Sequence, residues 1–208
     1  MAITDHKTTE TLGVLRNTRF WLLAVAYSTI ALGHGVLLTH LLPLLDDRGI
    51  QSEVAILAAS MLGPMQVAGR LAMIAAGQRV STVRIFIICY VAMAIAALSL
   101  LGSGTVPILL VSFILFQGAG FGVTSIMRPV MTAEIFGRNN FGLISGSLAV
   151  PYLVAAAAAP TIAAIIWWIG GYDLVILFAI GASGLGLVSL LTAQHSLRKK
   201  RPPSLEKG

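Results

Sequence analysis

The sequence predicts an all-α membrane protein, a bundle of six transmembrane helices, and three observations carry that prediction. Hydrophobic residues make up 57% of the chain and charged residues only 11%, too little polar surface for a soluble domain of this length. The apolar residues gather into six long runs, at 20–44, 54–76, 85–101, 106–127, 141–167 and 174–193. Of the fourteen Lys and Arg residues, all but Arg48 fall on one side of the crossings that these runs describe.

Each run approaches the ~20 residues needed to cross a hydrocarbon core of ~30 Å, and the first and fifth are long enough to tilt or kink. A helix is the expected form, because lipid offers the backbone no hydrogen-bonding partner. Residues 1–19, with Lys7, Arg16 and Arg19, form a polar segment. No short apolar stretch with a small-residue cleavage site follows it, so the first run is a span and not a secretory signal. The second run ends at a turn holding Arg79 and Arg84, with Arg70 on the same half of its helix. The fourth run is followed by Arg128 and Arg138, and the sixth by a basic tail, 195–208, with Arg198, Lys199, Lys200, Arg201 and Lys207. The intervening turns carry Arg48 among Asp46, Asp47, Glu53 and Asp173. Basic residues in short loops mark the cytoplasmic side, which puts both termini there and makes the chain a multi-pass protein of the cell (plasma or inner) membrane. Trp21 falls at the inner interface and Trp167 and Trp168 at the outer one, where aromatic belts lie. The division is a linker-like segment 1–19, a six-helix bundle 20–194 and a cytoplasmic tail 195–208.

Composition and motifs exclude several functions. The formal net charge is +6, yet the basic residues track turns and form no patch interleaved with aromatics, so nucleic acid is not an expected partner. The one cysteine, Cys89, lies within an apolar run, which leaves no disulfide or zinc site within one chain and fits a small hydrophobe. No span carries paired carboxylates, HExxH, a Ser/His/Asp set or a phosphate-cradling glycine loop. Neither an enzyme activity nor a cofactor is expected.

Small residues mark candidate helix contacts. Gly118 with Gly122, and Gly142 with Gly146, have GxxxG spacing, and 155–159 is all alanine. Such residues let backbones approach closely in a membrane, although Gly and Ala are also simply common there. Pro43, Pro64, Pro129, Pro151 and Pro160 fall in or beside spans, and the last two are expected to bend the fifth.

Arg70 is the one formal charge expected inside a span, about 9 Å from the cytoplasmic end of its helix. A central Arg costs roughly 2.5–3.5 kcal/mol on insertion scales. It points either to an anion site facing an aqueous cavity or to a side chain that snorkels to the headgroups. Gly63, Gln66, Arg70 and Gly77 share a helix face, a stripe suited to a polar cavity. Gln117, Gly120, Thr124 and Arg128 repeat the pattern in the fourth span, where hydrogen bonding between helices is the alternative. Tyr27 and His34 share a face of the first span; His34 suits proton exchange or, as a neutral ring, a bond to a neighbouring helix. His40 points elsewhere, so the two histidines make no metal pair. Tyr152, beside Pro151, lines a cavity or packs.

The segment Gly69-Arg70-Leu71, then Gln78-Arg79, then Arg84 resembles the cytoplasmic loop signature of the major facilitator superfamily, in the form taken by the second half of those transporters. Gln78 departs from it, standing where Asp is common. Residues 134–142, Glu-Ile-Phe-Gly-Arg-Asn-Asn-Phe-Gly, followed by Gly146, resemble the junction of the fourth and fifth helices of that half. Ala159-Pro160 and Gly170-Gly171-Tyr172 are similar to its fifth helix and the outer turn beyond. The similarity runs over 16–194 and is closest to the monocarboxylate and oxalate/formate porter branch.

That resemblance implies the C-terminal half of a twelve-span fold, itself a 3+3 inverted repeat, with substrate held between two bundles near the midplane. It implies secondary active transport of a small organic anion, such as a monocarboxylate, by alternating access. Arg70, within Gln-Val-Ala-Gly-Arg, takes the place of the Arg that engages the substrate carboxylate. Gln66 stands where proton-coupled members carry Asp, and the Lys of oxalate porters has no counterpart. The expected substrate-binding set is Arg70, Gln66, Gln117, Tyr27, His34 and Tyr152, and residues up to about 18 look like the end of a central linker. Expected partners are the lipid bilayer, the anion, and an N-terminal six-helix half or a second copy. The alternative is a non-transporting interaction protein that pairs with another bundle.

Overall fold

The structure, a computed structural model, describes residues 16–76, 79–138 and 140–198. Lys7, Gly77, Gln78, Asn139 and the basic residues from Lys199 onward lie outside the described residues. Its helices are α1 (Thr18–Thr39), α2 (Leu41–Asp47), α3 (Ser52–Ala76), α4 (Thr82–Leu101), α5 (Pro107–Phe136) and a long stretch, Phe141–Arg198. That stretch leaves helical geometry at Gly170 (φ −153°, ψ 23°) and Gly171 (φ 69°, ψ −169°). The two arms, α6 (141–169) and α7 (172–198), are each long enough to cross a bilayer. With α1, α3, α4 and α5 they make six crossings, and the described residues contain no strand.

Local chemistry sets the helix ends. The Asn17 side chain accepts from the Arg19 N–H at 3.0 Å and caps α1. The first apolar run does not stay one helix. It breaks at His40 (φ −104°, ψ 11°), and the short α2 ends in a turn whose Gly49 takes φ 73°. Proline opens α5, where its missing N–H costs nothing. Gly137, at φ 79°, closes that helix with its N–H bonded to the Ala133 carbonyl at 2.9 Å. One expectation needs correction here. α5 continues to Phe136, well past the expected end at 127, so Pro129 lies within it and Arg128 joins Arg70 as an arginine inside a helix. The interruption of 141–198 falls at the glycine pair, between the fifth and sixth apolar runs where a turn was expected, and Pro151 and Pro160 both lie within α6.

Successive turns gather at opposite ends. Arg19 reaches across to Ser196, with Nη2 2.8 Å from its carbonyl and Nε 2.9 Å from its hydroxyl. At the same end the Thr82 hydroxyl donates to Glu134, and residues 79–85 share a cleft with Gln194 and His195. At the other end Arg48 pairs with Asp173, and Gly104 sits against Arg48 so closely that a Cβ there would stand 3.2 Å from that of Arg48. The basic turns and the acidic turns are therefore separated in space.

The packing follows a swap of first helices. α5 lies between α3 and α4: a Cβ at Gly122 would stand 2.7 Å from Gln66 Cα, and one at Gly120 would stand 3.2 Å from Met93 Cγ. α1 lies between α6 and α7, where a Cβ at Gly35 would stand 2.6 Å from that of Ala159 and one at Gly33 3.8 Å from that of Ala182. Each half of the bundle thus lends its first helix to the other, the arrangement of a 3+3 repeat. Gly118–Gly122 and the alanine stretch make the close approaches expected of them. Gly142 and Gly146 do not, since a Cβ at either meets nothing within 4 Å.

Two hydrophobic clusters fill the interior. One, toward the acidic end, includes Leu37, Leu41, Phe113 and Ile176; the other, toward the basic end, includes Phe20, Phe86, Tyr90 and Met131. Outside, α4 turns Ile88, Val91, Ile95 and Leu98 outward along one stripe, the surface a helix offers to lipid tails. Trp21 and Trp168 are exposed near opposite ends of their helices, at 54% and 83%.

Candidate functional site

Polar side chains enter the bundle in three groups. On α3, Arg70 is half-buried and its Nε donates to the Gly122 carbonyl at 3.2 Å. That oxygen also accepts from the Ser125 hydroxyl at 2.7 Å. The bond depends on how closely the helices approach: a Cβ at Gly69 would stand 2.6 Å from Ala119 Cα. Gln66, one turn earlier and half-buried, borders the same seam through its backbone.

In the middle of the bundle His34 (α1) and Gln117 (α5) are both buried, with His34 Nδ1 3.0 Å from Gln117 Nε2. An amide N–H donates, so Nδ1 accepts and the neutral ring carries its proton on Nε2. The imidazole lies flat on Phe121, ring centroids 3.5 Å apart and planes 7° apart. Gln117 Oε1 is buried with no partner among the described residues.

The third group surrounds Arg128 on α5. Its guanidinium carbon lies 3.8 Å over the ring of Tyr152 on α6, a cation–π contact. Its carbonyl accepts from the Tyr27 hydroxyl at 3.0 Å and from Thr132 Oγ1 at 2.9 Å, and the two hydroxyls are 3.2 Å apart. A pocket of about 210 Å³ opens beside them, lined by Tyr27, Ser125, Arg128, Thr132, Ser145 and Leu148 among others. Arg128 Nε and Ser145 Oγ are buried without a partner among the described residues.

The six predicted residues thus fall into these three groups. Arg70 and Gln66 stay together on α3, His34 and Gln117 bond each other, and Tyr27 and Tyr152 meet around Arg128. Arg128 itself was outside that set, because the apolar run stops at Met127 and Arg128 was read with the basic turn that follows. The signal that finds it is the stripe Gln117, Gly120, Thr124, Arg128 on one face of α5. Among the described residues no carboxylate pairs with Arg70 or Arg128, and no cluster of three His, Cys, Asp or Glu could hold a metal. A wider cleft of about 1260 Å³ opens at the basic end, lined by Arg79, Arg84, Glu134 and His195 among others.

Six apolar crossings, exchanged first helices and arginines set inside the helices define a multi-pass membrane protein built as one half of a transporter fold. Residues 23–208 match the family model of the Major Facilitator Superfamily, and the chain belongs to that family. Its members are transporters and not enzymes. Comparison with curated proteins gives no match.

Proposed function

We propose that this bundle moves a small organic anion, such as a monocarboxylate, by secondary active transport with alternating access. The observation that carries this reading is a pair of half-buried arginines, Arg70 and Arg128, with no carboxylate beside them among the described residues. A cation within a transmembrane segment marks a ligand pathway by default, and an arginine suits the planar fork of a carboxylate. Arg70 is the principal contact, with Gln66 beside it; Tyr27, Tyr152, His34 and Gln117 complete the polar interior. The match of Gln-Val-Ala-Gly-Arg to the monocarboxylate and oxalate/formate branch supports the same substrate class.

The charge separation between the two ends supports a cytoplasmic basic end, with both termini inside a plasma or inner membrane. Substrate in this fold lies between two bundles, so the working unit pairs this bundle with an N-terminal six-helix half or a second copy. Uptake of a labelled monocarboxylate into proteoliposomes by the paired transporter tests the reading, and Arg70→Ala should abolish it while leaving folding intact. Undiminished uptake by that variant would remove Arg70 as the anion contact. The second reading, an interaction protein that docks on another bundle without transporting, draws on α3, whose Val67, Leu71 and Ile74 are all exposed. Robust anion uptake by either pairing rules it out.

A further inference from the structure

We propose that the pocket around Arg128, between α1, α5 and α6, is a carboxylate-binding subsite distinct from Arg70. It rests on the organic-anion reading above and adds a second cationic contact to it. Arg128 lies deep along its neighbours: it meets Tyr27 about 13 Å from the start of α1 and Tyr152 about 16 Å from the start of α6. No described acid compensates it there. The nearest along its own helix, Glu134, is more than a turn further on and is engaged by Thr82.

The pocket wall is made for an anion. Two of the residues that line it, Arg128 and Ser145, carry buried donors without partners among the described residues, Nε and Oγ. Leaving both unpaired is unfavourable, and a carboxylate accepts from both while neutralising the guanidinium. The Tyr27 and Thr132 hydroxyls are already satisfied by each other and by the Arg128 carbonyl, so they fix the arginine backbone and leave its side chain to the ligand. Tyr152 covers the face of the guanidinium at 3.8 Å. That contact holds the plane in place while Nε–H stays without a partner among the described residues, and a guanidinium edge is suited to bidentate bonding of a carboxylate. Leu148 and Ala149 supply an apolar wall for a short alkyl or acyl body. The volume, about 210 Å³, is the space of about seven waters, enough for a short-chain acid of up to about six heavy atoms with solvent.

The test is equilibrium binding to the purified full chain in lipid nanodiscs, using acetate and pyruvate as probes and acetamide as the uncharged isostere. Calorimetry should detect both acids and not acetamide. Arg128→Gln should weaken binding by about 10- to 100-fold, the range for losing a charged hydrogen bond. Arg128→Lys, a point charge without the fork, should fall between the two. Ser145→Ala should weaken binding about three- to tenfold with an unchanged unfolding midpoint, an effect that a purely structural Arg128–Tyr152 strap would not produce. Unchanged affinity in folded Arg128→Gln overturns the subsite, and if that variant does not fold, unchanged affinity in Ser145→Ala does so. Arg70→Gln separates this proposal from its parent. If it alone abolishes binding, the organic-anion reading stands and the subsite falls. If binding survives Arg70→Gln and is lost on changing Arg128 and Ser145, the subsite stands and Arg70 loses its assigned role. Absence of carboxylate binding to the unaltered chain overturns the subsite, whereas the organic-anion reading stands or falls on uptake by the paired transporter.

Discussion

His34 and Gln117 meet 3.0 Å apart between α1 and α5, in the layer that separates the two hydrophobic clusters of the bundle. The pair joins the two exchanged first helices at mid-height. Toward the basic end the same two helices are tied again, by the Tyr27 hydroxyl to the Arg128 carbonyl and Thr132, so the His34–Gln117 bond is the mid-height member of two polar ties between them.

The pair should therefore matter to stability in proportion to its bond. Replacing His34 with Leu leaves a buried amide with neither of its polar ends engaged, since Gln117 Oε1 already lacks a partner. Hydrogen bonds between membrane helices contribute about 0.6–2 kcal/mol, so His34→Leu should lower the unfolding midpoint in nanodiscs, and His34→Leu/Gln117→Leu should recover part of the loss. A double variant no more stable than the worse single one would mean that the bond contributes little.

The two GxxxG spacings make a matched comparison. At Gly122 a side chain would collide with the backbone of Gln66, and at Gly69 with that of Ala119, whereas Gly142 and Gly146 have open space. Gly122→Val should push α3 from α5, break the Arg70 bond to the Gly122 carbonyl and cut the yield of monodisperse protein sharply. Gly142→Ala and Gly146→Ala should behave like the parent on size-exclusion chromatography, with midpoints within about 0.5 kcal/mol equivalent. Equal damage from both kinds of variant would contradict the packing described.

At the acidic end, Arg48 and Asp173 form an ion pair whose carboxylate side is well exposed. Exposed pairs contribute about 0.2–1 kcal/mol and weaken with salt. A double-mutant cycle with Arg48→Ala and Asp173→Ala should return a coupling in that range at low ionic strength, shrinking toward zero in high salt. A coupling of several kcal/mol, insensitive to salt, would show the pair to be shielded from water.

Much of this was legible in the sequence, for a physical reason. Hydropathy and charge respond to the bilayer, which acts on every residue of a span alike, so the six crossings and the sidedness of Arg79, Arg84 and Arg48 could be read without knowing any neighbour. The close approaches could not. Gly118–Gly122 and Gly142–Gly146 look identical as strings, and only the presence of Met65 and Gln66 opposite the first pair distinguishes them. Arg128 was misjudged for a related reason. Proline and arginine after an apolar run signal a turn, yet α5 continues to Phe136 because the end of the helix is held by Gly137 and by Thr82 against Glu134. The break after Thr39 had no clear signal, since Leu41, Leu44 and Leu45 continue the apolar run while the backbone changes direction at His40.

The glycine pair at the turn between α6 and α7 gives the sharpest prediction about topology. Residues 141–198 would be a single rod far longer than a bilayer is thick if the chain did not reverse at Gly170 and Gly171. Gly171 holds φ 69° with ψ −169°, a region essentially closed to residues with a Cβ, where forcing one costs about 1–3 kcal/mol. Gly171→Val should therefore destabilise the bundle and weaken the docking of α7 on α1, exposing the Gly33–Ala182 seam. Pro151→Ala and Pro160→Ala should leave the reversal intact, because the backbone is helical at both prolines. The check is thiol labelling of a cysteine introduced at Ala182, with Cys89→Ser as background. Ala182 is buried in the parent, so labelling should be slow there and in both proline variants, and fast in Gly171→Val. Slow labelling in all four proteins would mean that the turn survives without its glycine, and that packing of α7 between its neighbours, not the conformation of Gly171, sets the reversal.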